Sequence, residues 1–172
     1  MRYSRIAGPG DQVHLRAETD ADEPFLFALY ASTREPEMLL VDWSAEEKHA
    51  FLRMQFNAQR SHYLAHYDGA SFSIVEVDGE PAGRLYLARW DSEIRIVDVV
   101  LLPSYRNRGI GAQLIEDVQA EARRSGKPVT IHVEKFNPAR RLYERLGFQS
   151  VEDKDVYLLM RWMPESSEVV SV

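Results

Sequence analysis

The sequence contains no cysteine among its 172 residues. Disulfide bonds, a thiol nucleophile and a cysteine-ligated zinc site are therefore excluded. The five histidines are scattered and show no His-Glu-x-x-His spacing, so we predict no metal ion. No apolar run is long enough to span a bilayer, and the N-terminus lacks the apolar core of a signal peptide. These absences predict a cytoplasmic protein without a membrane partner.

Basic residues are fewer than acidic residues in this sequence. The formal net charge is −6, with 21 Lys and Arg residues against 27 Asp and Glu residues. A nucleic-acid-binding protein needs a basic surface to neutralise phosphates, so we predict no nucleic-acid partner. A few local cations are still enough to hold the phosphates of a small ligand. With 45% hydrophobic and 28% charged residues, the composition is that of an ordinary globular protein.

The length is typical of one domain, which we assign to residues 1–172. Its core is predicted to span residues 13–163. Residues 1–12 have the composition of a leader, and residues 164–172 that of a tail.

Hydrophobic periodicity predicts the order of helices and strands. Ser44 and Glu47 form a capping box that begins the second helix, and Asp78-Gly79 is typical of a hairpin turn. The predicted elements are a strand at 13–19, helices beginning near Asp20 and after Ser44, strands at 71–77, 82–90 and 93–102, a helix at 109–124, a strand at 129–133, a short helix between Asn137 and Gly147, and strands at 148–151 and 156–163.

The three consecutive strands from 71 to 102 predict an antiparallel meander, since only short turns separate them. The helix at 109–124 then joins two strands that we expect to be parallel, through a right-handed crossover. We therefore predict an α+β domain. Its central sheet is mixed and mostly antiparallel, with about seven strands, and about four helices flank it.

Residues 103–113, PSYRNRGIGAQ, lie between a buried strand and the start of an amphipathic helix. A helix N-terminus offers unpaired backbone N–H groups and the positive end of the helix dipole, which together hold an anion. Gly109 and Gly111 let phosphate oxygens approach the backbone, and Arg106 and Arg108 add charge. This pattern predicts a diphosphate site. The alternative is an ordinary strand-to-helix turn with solvated arginines.

Residues 109–114 do not match two other kinds of phosphate-binding loop. A Walker A loop needs Gly-Lys-Ser/Thr, but Gly111 is followed by Ala112-Gln113, which excludes it. A dinucleotide fingerprint needs a third glycine where Leu114 stands. Glu134 has the position of a ribose-binding carboxylate, but the link from Leu102 to Gly109 is too long for that tight first turn.

Two motifs resemble those of one known family. RNRGIG at 106–111, directly after the strand end at 99–102, resembles the R/Q-x-x-G-x-G/A motif of the GNAT superfamily of acyl-CoA-dependent N-acyltransferases. The segment at 137–148 resembles the family's second signature through Asn137, Ala139, Leu142, Tyr143, Leu146, Gly147 and Phe148. The order of elements is similar over residues 13–163.

The resemblance implies an N-acetyltransferase that moves the acetyl group of acetyl-CoA onto a primary amine of a small molecule or peptide. The amine would attack directly in a ternary complex, and the enzyme would form a homodimer through its edge or closing strands. By position, Asn137 would contact the cofactor and Tyr143 would protonate the departing CoA thiolate. The remaining CoA-binding residues implied are Val99, Val100 and Leu101 along the pantetheine arm, and Arg106, Asn107, Arg108, Gly109, Ile110, Gly111 and Ala112 around the pyrophosphate.

The general base is less well defined by the sequence, because three side chains compete. His132 lies where some members of the resembled family place a glutamate, and its ordinary pKa of about 6.5 suits proton abstraction. Asp98 stands among valines on the central strand, where a carboxylate usually has a partner or a function. Glu93 lies at the edge of the same strand. Water is the fourth alternative.

Acceptor recognition is predicted to come from the first two helices, the loop at 33–44 and the turn at 90–93. Phe27, Tyr30 and Trp43 either line an acceptor pocket or pack the helices together. Two other functions stay open: a regulatory domain that binds acyl-CoA without turnover, and an enzyme that uses a longer acyl-CoA.

Overall fold

The computed structural model describes residues 4–6 and 12–165. They form one eight-stranded sheet with four α-helices and two short 3₁₀ turns, Asp20–Asp22 and Pro103–Tyr105. In chain order the elements are β1 Ser4–Ile6, β2 Gln12–Ala17, α1 Glu23–Met38, α2 Ala45–His66, β3 Ser71–Val77, β4 Glu80–Arg89, β5 Ile94–Leu101, α3 Ile110–Ser125, β6 Val129–Glu134, α4 Arg140–Arg145, β7 Gln149–Lys154 and β8 Tyr157–Trp162.

The predicted fold class is confirmed. The strand order is β1-β2-β3-β4-β5-β6-β8-β7, and every neighbouring pair is antiparallel except β5 and β6. The sheet gains one strand because Ser4–Ile6, expected to belong to a leader, pair with β2. The rest of that leader and residues 166–172 of the tail lie outside the described residues.

The sheet is covered on both faces, and its two faces have separate cores. On one face Ile110, Leu114 and Val118 of α3 belong to a large apolar cluster that includes Leu85 and Ile96 of the sheet. On the other face a smaller cluster holds Leu26 and Tyr30 of α1, Phe56 of α2 and Ile74 of β3. The layers therefore place α3 and α4 on one side of β5, and α1 and α2 on the other.

The boundaries of the first two helices follow local chemistry. Ser44 caps α2, because its Oγ accepts the N–H of Glu47 at 3.1 Å. The loop predicted at 33–44 is shorter than expected, since α1 continues to Met38. Pro36 removes the N–H that would donate to the carbonyl of Ser32, but the helix continues past it, since the N–H of Leu39 donates to the carbonyl of Glu35 at 3.1 Å.

The start of α1 is held by a buried carboxylate. Arg16 donates to both oxygens of Asp22, at 2.7 and 2.8 Å, and the N–H of Thr19 donates to Oδ2 at 2.8 Å. The hydrogen bond from Arg16 is the largest of the effects that lower the pKa of Asp22, from 3.8 to about 2. The charged form of Asp22 is therefore the one that stabilises the fold.

Asp22→Asn is expected to lower the free energy of unfolding at pH 7 by about 1.5 kcal/mol, a modest value because Arg16 is partly exposed. A lowered pKa gives stability that is present above pH 3.8 and is lost as the pH falls toward 2. The difference between the two proteins should shrink over that interval. Urea unfolding at several pH values measures it, with the exposed Asp20→Asn as control. A difference that does not change with pH would contradict the assignment.

Candidate active site

A wedge-shaped opening separates the two parallel strands at the centre of the sheet. β5 and β6 pair through only three residue pairs, from Ile94–Val129 to Ile96–Ile131. Val97 is then the extra residue of a bulge against β4, where Tyr86 pairs with Asp98 and Leu87 with Ile96. A bulge bends its strand, so β5 leaves β6 beyond this point. We call the space between residues 97–101 of β5 and residues 132–134 of β6 the β5–β6 gap.

The β5–β6 gap exposes one backbone edge of β5. Val99, Val100 and Leu101, predicted to lie beside an extended ligand, pair with β4 on one side and have no strand partner on the other among the described residues. The carbonyl of Leu101 accepts Arg106 Nε at 3.1 Å, and the backbone groups of this edge that have no partner are a template for a ligand that offers amide groups.

The glycine-containing loop lies at the end of β5, where the gap is widest. Asn107 and Gly109 have positive φ values of 59° and 80°, and α3 begins at the next residue. The N–H of Gln113 donates to the carbonyl of Gly109 at 3.1 Å, which closes the first turn. The N–H groups of Ile110, Gly111 and Ala112 belong to that first turn, whose donors have no acceptor within the helix. The loop therefore presents the positive end of α3 beside the gap.

The two glycines meet different requirements. A Cβ at Gly109 would contact nothing within 4 Å, so this glycine is needed for its positive φ alone. A Cβ at Gly111 would lie 3.8 Å from Leu142 Cδ2 and 4.0 Å from Leu101 Cδ1, between the end of β5 and α4. These are ordinary contacts, so a methyl group fits at position 111, whereas a larger side chain would meet Leu101 and Leu142.

The predicted cations lie against the loop. Arg106 Nε donates to the carbonyl of Leu101 at 3.1 Å, and the guanidinium of Arg108 lies 5.3 Å from the centre of the Tyr105 ring. Both arginines are exposed. This region combines two cations, a helix N-terminus, a glycine without a side chain and a strand edge without a partner strand. Together these features fit a diphosphate joined to an amide-containing arm.

The second motif brings a buried hydroxyl to the same region. Asn137 Oδ1 accepts the N–H of Ala139 at 2.9 Å, so this side chain caps the turn that leads into α4. Tyr143 is 5% exposed and packs its ring edge-on against Phe148 at 5.9 Å. Nothing in the described part of the chain pairs with its hydroxyl. Burial, with a contribution from the charge of Asp98, raises the pKa of Tyr143. The hydroxyl therefore keeps its proton at neutral pH and can donate a hydrogen bond to a ligand.

Asp98 lies on the opposite face of β5, in a cluster that the sequence does not predict. Arg84 of β4, only 2% exposed, donates to Asp98 Oδ2 from Nε at 2.7 Å, and its Nη2 forms an ion pair with the same oxygen at 2.5 Å. Tyr63 of α2 donates to the same oxygen at 3.4 Å. The sequence signal for this pair is an arginine inside an apolar strand next to a strand that carries a lone carboxylate.

His132 has a different environment. Arg95 Nη1 lies 3.2 Å from His132 Nδ1, and because arginine only donates, Nδ1 must accept. Burial and, next, the charge of Arg95 lower the pKa of His132, so the imidazole is neutral at pH 7. Its one basic nitrogen is then occupied. Glu93, the third candidate, accepts the hydroxyl of Thr130 and pairs with Arg95 at 3.4 Å.

The aromatic residues proposed for acceptor recognition divide into two groups. Tyr30 is buried and donates to Gln55 Oε1 at 3.1 Å, and Phe27 packs edge-on against Phe56 at 5.5 Å, so both join α1 to α2. Trp43 is 40% exposed. It keeps an aromatic face at the surface of the loop between these helices.

Two negative findings concern the described residues alone. Within residues 12–165, no three His, Asp or Glu side chains lie together as metal ligands would. No helix in the part of the chain that the structure describes has both the length and the apolar character needed to cross a membrane.

Solved structures with the same fold include acetyltransferases. PaiA N-acetyltransferase from Thermoplasma acidophilum, in complex with coenzyme A, is 16% identical with a TM-score of 0.66, covering 88% of this chain and 98% of that one. A GNAT family acetyltransferase from Elizabethkingia anophelis, with acetyl-CoA bound, is 18% identical with a TM-score of 0.57, covering 88% of this chain and 97% of that one.

Sequence comparison agrees with the fold. Mycothiol acetyltransferase from Clavibacter michiganensis is 36% identical over 87 residues, which are 50% of this chain but only 28% of that relative. The sequence model of the Acetyltransferase (GNAT) family matches residues 26–148, a segment that includes the glycine-containing loop, Asp98 and Tyr143. The chain therefore belongs to the GNAT family of acetyltransferases.

Proposed function

We propose that the protein transfers the acetyl group of acetyl-CoA to a primary amine of a small molecule or a peptide, by direct attack in a ternary complex. The observation that carries this proposal is the β5–β6 gap, which runs from the glycine-containing loop to the side chains of Tyr143 and Asp98. An acyl-CoA has the matching parts in the same order: a diphosphate, an amide-containing arm and a thioester.

Binding is divided between backbone and side chains. The first-turn N–H groups of α3, with Arg106 and Arg108, hold the diphosphate. The free edge of Val99, Val100 and Leu101 pairs with the amides of the pantetheine arm. Asn137 lies in the turn before α4, on the far side of the gap, and orients the same arm. These roles are assigned by proximity to the gap and by the family motifs.

The transfer of an acetyl group from a thioester to an amine requires a nucleophile and a proton for the leaving thiolate. The amine nitrogen attacks the thioester carbonyl, the N–C bond forms and the C–S bond breaks. The departing thiolate needs a proton, and the buried hydroxyl of Tyr143 supplies it. A regulatory domain without turnover would have no use for that donor, which favours the enzyme. The choice of acyl chain, the homodimer and the cytoplasmic location stay predictions.

The proposal is tested first by thermal unfolding with and without acetyl-CoA. A ligand that binds only the folded state adds about 2.7 kcal/mol at a hundredfold excess over its dissociation constant. For a chain of this size, that raises Tm by about 5–10 °C. Coenzyme A should give a similar shift, and NAD, a diphosphate without pantetheine, should give none. Absence of a shift at millimolar acetyl-CoA, or an equal shift with NAD, would contradict the assignment of the gap.

Turnover is measured next, by the release of free CoA thiol in the presence of primary amines and of peptides with a free N-terminus. Propionyl-CoA and longer acyl-CoA thioesters are compared with acetyl-CoA in the same assay. We expect amine-dependent release of CoA with acetyl-CoA as the preferred donor. Tight binding without amine-dependent release would instead support the regulatory alternative.

A further inference from the structure

We propose that Arg84 and Tyr63 position Asp98 so that one carboxylate oxygen, Oδ1, stays open to the N–H of the acceptor amine. Asp98 then receives the proton that the amine loses, whereas Arg84 and Tyr63 act only through Asp98. This inference rests on the proposed function, since it assigns the acceptor end of the same site.

The contacts of Asp98 all end on one atom. Arg84 Nε donates to Oδ2 at 2.7 Å, Arg84 Nη2 forms an ion pair with the same oxygen at 2.5 Å, and the Tyr63 hydroxyl donates to it at 3.4 Å. Across residues 12–165, no group donates to Oδ1. A carboxylate oxygen has two lone-pair positions, so Oδ1 keeps its full accepting capacity. The asymmetry gives Asp98 one occupied oxygen and one available oxygen.

The groups that impose this asymmetry are held firmly. Arg84 is 2% exposed, and its guanidinium lies 5.1 Å from the Tyr86 ring centre and 5.8 Å from that of Tyr63. Arg84 Nη2 also donates to Gln59 Oε1 at 3.0 Å. A guanidinium fixed by two rings and two acceptors has little freedom, so it holds the carboxylate in one orientation. Asp98 itself keeps 20% of its side chain exposed, which leaves a route to solvent and to an acceptor.

Asp98 also has the right place in the sheet. It follows Val97, the bulged residue at which β5 leaves β6, so its side chain stands beside the β5–β6 gap on the α2 face. Its charge contributes to the raised pKa of Tyr143, whose ring packs on the α3 face. A proton acceptor and a proton donor therefore flank the gap from its two faces.

The other candidates for the base are less suitable. His132 has its accepting nitrogen bonded to Arg95 at 3.2 Å. Glu93 precedes the three residues of β5 that pair with β6, which separate it from the gap. Asp98 combines an available oxygen with a position at the gap.

The pairing with Arg84 also bears on the class of acceptor. Because the guanidinium neutralises the carboxylate, this pair gives no net charge that would hold the amine as a cation. Oδ1 instead accepts an N–H from the neutral amine and turns its lone pair toward the thioester. As the N–C bond forms, the nitrogen becomes cationic and its proton passes to Oδ1. Tyr143 gives its proton to the thiolate, and exchange with solvent restores both groups.

The test uses n-propylamine as a minimal acceptor at saturating acetyl-CoA, with the dissociation constant of acetyl-CoA measured separately. We expect Asp98→Asn to lower kcat at least a hundredfold, and Arg84→Lys to lower kcat about tenfold and raise the KM for propylamine. The dissociation constant of acetyl-CoA should stay within twofold. Arg89→Lys is the matched control, because Arg89 lies on the same strand but pairs with Glu121 at 3.0 Å, away from the gap. It should change none of these values.

Tyr63→Phe keeps the proposal testable if Arg84→Lys does not fold, since it removes one long hydrogen bond to Oδ2 and keeps the ring. It should lower kcat two- to fivefold at an unchanged dissociation constant of acetyl-CoA. The proposal is overturned if Asp98→Asn keeps more than half of the turnover, or if Arg84→Lys weakens acetyl-CoA binding as much as it raises the KM for propylamine. Failure of the parent protein to bind acetyl-CoA, or to acetylate any amine once acetyl-CoA is bound, would instead contradict the proposed function itself.

Discussion

Tyr143→Phe is expected to lower kcat by about 10²–10³-fold, because the departing thiolate then loses its proton donor. The raised pKa of Tyr143 means that the hydroxyl is protonated throughout the neutral range, so the donor is present whenever the thioester is bound. Phenylalanine preserves the ring that packs on Phe148. The affinity for acetyl-CoA should therefore change little, and the measurement is kcat at saturating acetyl-CoA and amine.

A second buried tyrosine provides the control for the expected loss of kcat in Tyr143→Phe. Tyr30 is also 5% exposed, but its hydroxyl bonds to Gln55 between α1 and α2. Tyr30→Phe should lower Tm slightly and leave kcat unchanged. If Tyr143→Phe shows the same pattern as Tyr30→Phe, Tyr143 is a packing residue and the thiolate takes its proton from water.

Gly111→Val is expected to weaken acetyl-CoA binding at least tenfold. A Cβ there makes ordinary contacts with Leu142 and Leu101, at 3.8 and 4.0 Å, but the two further methyl groups of a valine need room that these side chains or the bound ligand must give up. Isothermal titration with acetyl-CoA measures the loss, and thermal unfolding without ligand measures any effect on the fold. A valine in a helix costs less than about 1 kcal/mol in propensity, so the fold should persist.

Gly111→Ala is the graded control for this substitution. Its single methyl group makes ordinary contacts with Leu142 and Leu101, so it should reduce the affinity much less than valine does. Gly109 is unsuitable for the same purpose, since its φ of 80° strains any other residue before a ligand is present. Equal affinity for Gly111→Val and the parent protein would mean that the diphosphate of acetyl-CoA does not lie against the first turn of α3.

Features with a local cause were predictable from the sequence. The Ser44 cap and the Asp78-Gly79 turn each depend on residues a few positions apart, and both occur as predicted. The glycine-containing loop was found for the same reason. Its strand, loop and helix are contiguous in the chain, so the sequence was enough to predict a helix N-terminus at the end of β5, and an anion site there stays a prediction.

Features that depend on register were not predictable. Strand β1 pairs through residues with weak local signals, and the bulge at Val97 arises only when β5 meets β4. Arg84 and Asp98 face each other across that same ladder, so neither strand alone reveals the pair. The contact between His132 Nδ1 and Arg95 also joins two neighbouring strands, so the sequence of β6 alone does not reveal it.

The three-pair contact between β5 and β6 has a mechanical consequence. It divides the sheet into a larger block, β1 to β5, and a smaller one, β6 to β8, joined mainly by that short ladder and by α3. Backbone groups along the open seam must be hydrated in the free protein, because leaving them dry is costly. In the proposed complex, a pantetheine arm would replace that water with hydrogen bonds of the kind a ninth strand makes. A bound arm that bridges both blocks would couple their local openings, so the stability gained on binding acetyl-CoA is expected to extend to both.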